Sequence, residues 1–165
     1  MSAKGLQLPY DGHLVQLLTP VDQQGSARTS LVCRMQKYKR ATVIVSIGTA
    51  PRAAGVIKIE SCDNMTPSTA TSIPFTVFKC ETGYASANGD LLGAAVACTA
   101  AAGLIPAAGT PNGVMYVIEF GAYDLVSGDI GFRVNMADPG AASVLSAVAI
   151  LSGGTATAQS ATVIA

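Results

Sequence analysis

The chain has 165 residues, enough for one domain with a real core; half are apolar, none is Trp and only 5% are aromatic, so the core is expected to be aliphatic rather than ring-based. Charged residues make up 12%, about half the usual ~25%, which implies that much of the surface meets another protein rather than water. Ten basic residues balance ten acidic ones, which argues against nucleic acid as the main partner, because phosphate binding needs a basic excess.

Residues 1–12 read as an irregular N-terminal arm carrying Leu6, Leu8, Pro9 and Tyr10. "HLVQLLTP" (13–20) is a short strand that Pro20 should end, and 21–30 is polar and turn-like. "LVCRM" (31–35) suits a strand, and the basic "QKYKR" leads out of it. "ATVIVSIG" (41–48) is dense in β-branched residues and bounded by Gly48 and Pro51. "AGVIKIESC" (54–62) alternates, with Ile57 and Ile59 on one face and Lys58 and Glu60 on a face expected to be exposed. A loop (63–72) precedes the strand "IPFTVFKC" (73–80), with Pro74 near its start.

The Ala-rich stretch 89–113 favours helix by composition, but Gly93 and Gly103 interrupt it and the charges of a surface helix are missing. A short strand around 93–99 and a loop through Pro106 and Pro111 are expected instead. "VMYVIEFGAYDL" (114–125) and "GFRVNMAD" (131–138) are strands, and Asp138-Pro139-Gly140 is a turn. The last strand, "ASVLSAVAILSG" (142–153), is apolar or small on both faces, so neither expects open water. About eight strands, turn signals between them and no helix indicate an all-β fold, a single antiparallel β-sandwich or jelly roll spanning 13–151, with extended N- and C-terminal arms. The C-terminal tail, 152–165, has few large residues and should not order on a lone domain.

Sites for chemistry are sparse. His13 is the single histidine and opens a strand, where an edge or surface imidazole is expected. Cys33, Cys62, Cys80 and Cys98 form no C-x-x-C pair, so neither a metal nor any cofactor is expected. No signal-peptide pattern opens the sequence, so synthesis in a cytoplasm and free strand-borne thiols are expected. The uncharged run 91–105 is too short for a bilayer, and no membrane association is expected. There is no G-x-S-x-G elbow, P-loop or H-E-x-x-H pattern, and half of the acidic residues adjoin Gly, Pro or Asn, where turn geometry explains them. An enzyme is therefore not expected. Arg34, Lys37, Lys39 and Arg40, with Arg28 just before, form a basic cluster that is either a solvated inter-strand loop or a docking patch.

The order of these features carries a resemblance. "LVQLLTPVDQQGSARTS", "VCRMQKYKRATVIVSIG", "AGVIKIESCDNMTPSTATSIPFTVFKC" and "YVIEFGAYDLVSGDIGFRVNMADPGAASVLSAVAILSGGTA" follow one another over roughly 14–156. Together they resemble small all-β capsid decoration (cement) proteins of tailed bacteriophages; the Ala/Gly-rich 91–110 region departs from that pattern. The resemblance implies a virion structural protein without enzymatic activity, made in the host cytoplasm and bound outside the capsid. Its partners would be the phage major capsid protein and further copies of itself, as a dimer or trimer. Contacts would come from the arm (Leu6, Leu8, Tyr10), the basic segment (Arg34, Lys37, Tyr38, Lys39, Arg40) and the tail (Thr162, Val163, Ile164), with both arms lying across a neighbouring subunit. Two alternatives stay open: a tail or neck component, and a host-carbohydrate-binding β-sandwich whose exposed rings would be drawn from Tyr38, Tyr84, Tyr116 and Tyr123.

Overall fold

A computed structural model describes residues 12–48, 55–80, 92–106 and 113–154. The chain is an all-β sandwich of two antiparallel sheets. In chain order the strands are β1 (Gly12–Asp22), β2 (Arg28–Thr29), β3 (Cys33–Arg34), β4 (Arg40–Ile47), β5 (Ile57–Cys62), β6 (Ala70–Ile73), β7 (Phe75–Cys80), β8 (Val96–Cys98), β9 (Val114–Gly121), β10 (Gly131–Met136) and β11 (Val144–Ser152). One sheet has the order β1-β11-β4-β9-β7-β8 and the other β2-β10-β5-β6, with β3 also paired to β10. A 3-10 turn, Ala122–Asp124, follows β9. No helix among the described residues is long and apolar enough to cross a membrane.

The three strongest strands in the sequence form the centre of the larger sheet. β4 lies between β11 and β9, with Val43 opposite Ala149 on one side and Ile118 on the other. Their inward faces (Val43 and Val45; Ala147 and Ala149; Tyr116 and Ile118) are essentially inaccessible. The opposing sheet contributes Ile57, Ile59, Phe132, Val134 and Met136. Each such side chain withdrawn from water contributes roughly 1.5–3 kcal/mol before the entropy of ordering is set against it. The core is mainly aliphatic, but rings enter it more than the low aromatic content implies: Phe75, Tyr116, Phe120 and Phe132 are all buried. Phe120 on β9 meets Phe132 on β10 edge to face, with centroids 4.8 Å apart, so one ring pair joins the two sheets.

Several boundaries differ from expectation, each for a physical reason. Pro20 does not end β1, which continues to Asp22. β1 is an edge strand, and its register shifts between Gln16 and Leu18 and again between Leu18 and Val21. Pro20 falls in the second irregularity, where its missing N–H costs no ladder bond. The expected strand 31–35 shrinks to Cys33–Arg34, and 21–30 contains the two-residue β2. Both lie along β10, and Ser30 bridges the gap: its hydroxyl accepts from Val134 N at 2.9 Å and donates to Leu31 O at 2.8 Å. The loop after β5 ends earlier than expected, because Ala70–Ile73 already pairs with β5. Pro74 is a corner rather than a strand residue: β6 belongs to one sheet and β7 to the other. The strand expected over 114–125 stops at Gly121, where the Asp124 carboxylate accepts the Gly121 N–H at 2.7 Å.

Glu60 is the clearest correction. It lies on the face opposite Ile57 and Ile59, as the alternation requires, yet it is buried. Register explains this: Arg133 on β10 is its direct cross-strand partner. The guanidinium Nε donates to Glu60 Oε2 at 2.7 Å, and Asn135 Nδ2 donates to Oε1 at 2.9 Å.

The outer face of the larger sheet holds a row of cross-strand neighbours, Val148, Ile44, Val117 and Phe78, all half-buried, with exposed Leu14 beside Ile150 on the next row. The reading of β11 as apolar on both faces thus corresponds to one core face and one outward apolar face.

Candidate functional site

The basic segment folds as a tight turn anchored by buried Met35. Tyr38 N donates to Met35 O at 2.8 Å, and Lys39 N to Ser152 O at 3.0 Å. Lys39 O accepts from Ala122 N at 2.9 Å, so the turn is pinned between the end of β11 and the turn after β9. Lys37, Lys39 and Arg40 are exposed. Tyr38 is half-buried and stacks on His13, with centroids 5.7 Å apart and planes 15° off parallel. His13 is thus a ring against a ring on the first strand, not an isolated surface group. Burial, and secondarily Cys33, raises the Tyr38 pKa above its ordinary value.

The same end of the sandwich is where both termini join the described chain. Gly12, at the start of β1, is the register partner of Ser152, at the end of β11, and Ser152 is the partner of Arg40. Beyond Ser152 the backbone passes under the basic turn: Gly153 has φ +67° beside the Lys39 side chain, and a Cβ on Gly154 would lie 3.2 Å from the Tyr38 ring. The junctions to residues 1–11 and 155–165 therefore flank Lys39 and Arg40. Leu6, Leu8, Tyr10, Thr162, Val163 and Ile164 lie outside the described residues.

Two of the basic residues do not join this group. Arg34 is half-buried on β3, in the other sheet, opposite Gly131, and its Nε is buried without a hydrogen-bond partner. Arg28 lies opposite Met136, at the far end of β10, about 16 Å along the strand from the Arg34 position. The cluster of the sequence thus separates into an exposed trio and two residues elsewhere.

Beside Arg40 is a cleft of about 300 Å³ walled by Thr42, Thr76, Glu119, Ser152 and Tyr123. The Tyr123 ring is 83% exposed and lies across Gly121, where a Cβ would come within 2.2 Å of it. Glycine at 121 is what lets the ring lie flat against the backbone. Of the other tyrosines considered for sugar stacking, Tyr116 is in the core, Tyr38 is engaged with His13, and Tyr84 lies outside the described residues. Exposure of Tyr123 was not legible in the sequence; the only local signal was its place just after the Gly that ends a strong strand.

Other polar groups serve the fold. Ser61 donates to Asp129 and accepts from Val126 N, fastening the loop before β10. Asp138 accepts from Gly140 N at 2.7 Å, and Asp22 from Gln24 N at 3.0 Å, the turn roles expected of them. Cys33, Cys62 and Cys98 are thiols buried on strands. Burial pushes the Cys62 thiol up to about 11; Arg133 opposes that shift, while Glu60, Asp129 and Asp63 add to it. Among the described residues no three His, Cys, Asp or Glu side chains gather as a metal ion would require. No family model, curated protein or solved structure matches the chain.

Proposed function

We propose that this chain is a virion structural protein that docks on the outside of a tailed-phage capsid and strengthens contacts between major capsid protein subunits, without enzymatic activity. One observation carries the reading: the β1–β11–β4 register brings the exposed Lys37, Lys39 and Arg40 together with the junctions to both terminal segments. Three segments separated in sequence thereby present one docking end. Exposed Arg and Tyr side chains, here Arg40 and Tyr123, are residue types that anchor protein interfaces. The outward apolar row on the larger sheet and the low overall charge also suit life against neighbours. A ligand that binds only the assembled shell stabilises it by mass action, and many symmetric copies multiply a modest contact.

The direct test is binding to purified capsids that lack the protein. The wild-type chain should co-sediment with them, with affinity falling as salt rises, and Lys39→Glu/Arg40→Glu should bind at least about tenfold more weakly. Equal binding by the charge-reversed protein would remove the docking end from the account.

A second reading, a carbohydrate-binding sandwich, is favoured by one feature: an exposed Tyr123 ring beside Arg40 and Glu119 in a cleft of suitable polarity. Glycan-array binding lost in Tyr123→Ala, with capsid binding absent, would select it.

A further inference from the structure

β1 and β11 also meet at the end of the sandwich away from Lys39 and Arg40, where Asp22 is the register partner of Val144. The chain leaves β1 there through Gln23–Ser26. Ser26 N donates to Gln23 O at 3.0 Å, and Gln24 and Gly25 both have positive φ, +48° and +75°, as a type I′ turn requires. The connection from β10 to β11 passes beside this turn, and Gln23 meets it at both ends. Its backbone N donates to Ser143 O at 3.0 Å, and its side-chain Nε2 donates to Ala137 O at 3.4 Å.

A glutamine in a polar turn is ordinarily solvated. Gln23 is instead 0% exposed, and Ser143 is 2% exposed. Among the described residues, Gln23 Oε1 and Ser143 Oγ are buried without a hydrogen-bond partner. Turning the Gln23 amide over does not relieve this, because it sets Oε1 against another acceptor, Ala137 O. The adjacent donors are already engaged. Gln24 N and Ser143 N donate to Asp22 Oδ1, Gln23 N to Ser143 O, and both the N–H and the hydroxyl of Ser26 to Gln23 O. A folded chain rarely leaves two such groups unsatisfied side by side, because each loses its hydration and gains nothing in exchange.

We propose that a buried water molecule bridges Gln23 Oε1 and Ser143 Oγ and so fastens the turn after β1 to the β10–β11 connection. Water suits both atoms: it donates to the amide oxygen, which only accepts, and it either donates to or accepts from the hydroxyl. Two polar partners meet the minimum that a buried water needs. A metal ion suits them poorly. Both oxygens are neutral, calcium takes about six to eight oxygen ligands, and the neighbouring Asp22 carboxylate already accepts two backbone N–H groups through one oxygen. The site lies away from the basic turn, so it stands or falls independently of the docking reading.

A crystal structure of the full chain tests the bridge directly: an ordered water should lie within hydrogen-bond reach of both atoms. Urea unfolding tests its energetic role through a sign. Ser143→Ala takes a partner from the water and should lower the urea midpoint, whereas removing a hydroxyl that is simply unsatisfied would raise it. Gln23→Met also loses the bond to Ala137 O and should lower the midpoint further. The double variant should fall no lower than Gln23→Met alone, because either change releases the same water. A raised midpoint in Ser143→Ala overturns the proposal. So do additive losses in the double variant, a direct bond between the two side chains in the crystal, or a metal ion in the site. If Gln23→Met does not fold, the crystal structure and Ser143→Ala still decide.

Discussion

At Glu60 a single side chain shows how far local pattern reaches. Alternation in "VIKIESC" places Lys58 and Glu60 opposite Ile57 and Ile59, and the structure agrees. What alternation does not contain is the register with β10, seventy-odd residues away, which sets Arg133 and Asn135 against the carboxylate and makes an apparently solvated Glu a buried acceptor. Glu60→Ala should therefore destabilise the fold by about 2 kcal/mol, because it strands a guanidinium and an amide; urea unfolding measures this. Cys62, close to the same group, makes a pH prediction. Its folded pKa, about 11, lies above its ordinary value of 9.0. The folded state thus holds the thiol proton more tightly than the unfolded chain. This contribution is fully present below pH 9 and is lost as pH rises toward 11. Thermal unfolding should show a decline in stability across that window, and Cys62→Ala should flatten it. An unchanged slope in the variant would assign the alkaline loss to other groups.

Among the elements, legibility follows strand length and position. The long central strands β4, β9 and β11 were readable within a few residues, because inward faces such as Val43/Val45 and Leu145/Ala147/Ala149 recur with period two. The short edge pieces were not, because β2 and β3 hold two residues each and depend on β10 for definition. Pro20 and Pro74 were read as strand punctuation; one sits at an edge irregularity and the other at the corner between sheets, and both outcomes depend on neighbours rather than on the dipeptide. Gly131 shows the same dependence. A Cβ there would lie 2.3 Å from Cys33 O, so the close approach of β3 to β10 requires glycine. Gly131→Ala should push β3 away and cost about 2 kcal/mol, readable as a lower urea midpoint with an unchanged slope.

For the molecule as a whole, the sequence names the segments proposed to make contacts but not where the described parts of them meet. Lys37–Arg40 and both termini could be named from composition; that Lys37–Arg40 lie beside the junctions at Gly12 and Gly154 follows from β1 and β11 being neighbours, a long-range pairing. The pairing of β2 and β3 with β10, in the other sheet, excludes Arg28 and Arg34 from the group. Deleting residues 1–11, which precede the first core strand, should leave the sandwich folded, with an unchanged melting transition, while weakening attachment to capsids. The central claim is that this chain belongs to a capsid surface. Quantitative mass spectrometry of purified tailed-phage particles encoding it, with heads separated from tails, tests that claim most directly. The account predicts copies on the heads in numbers that scale with the capsomers; a few copies confined to tails, or absence from the particles, would contradict it.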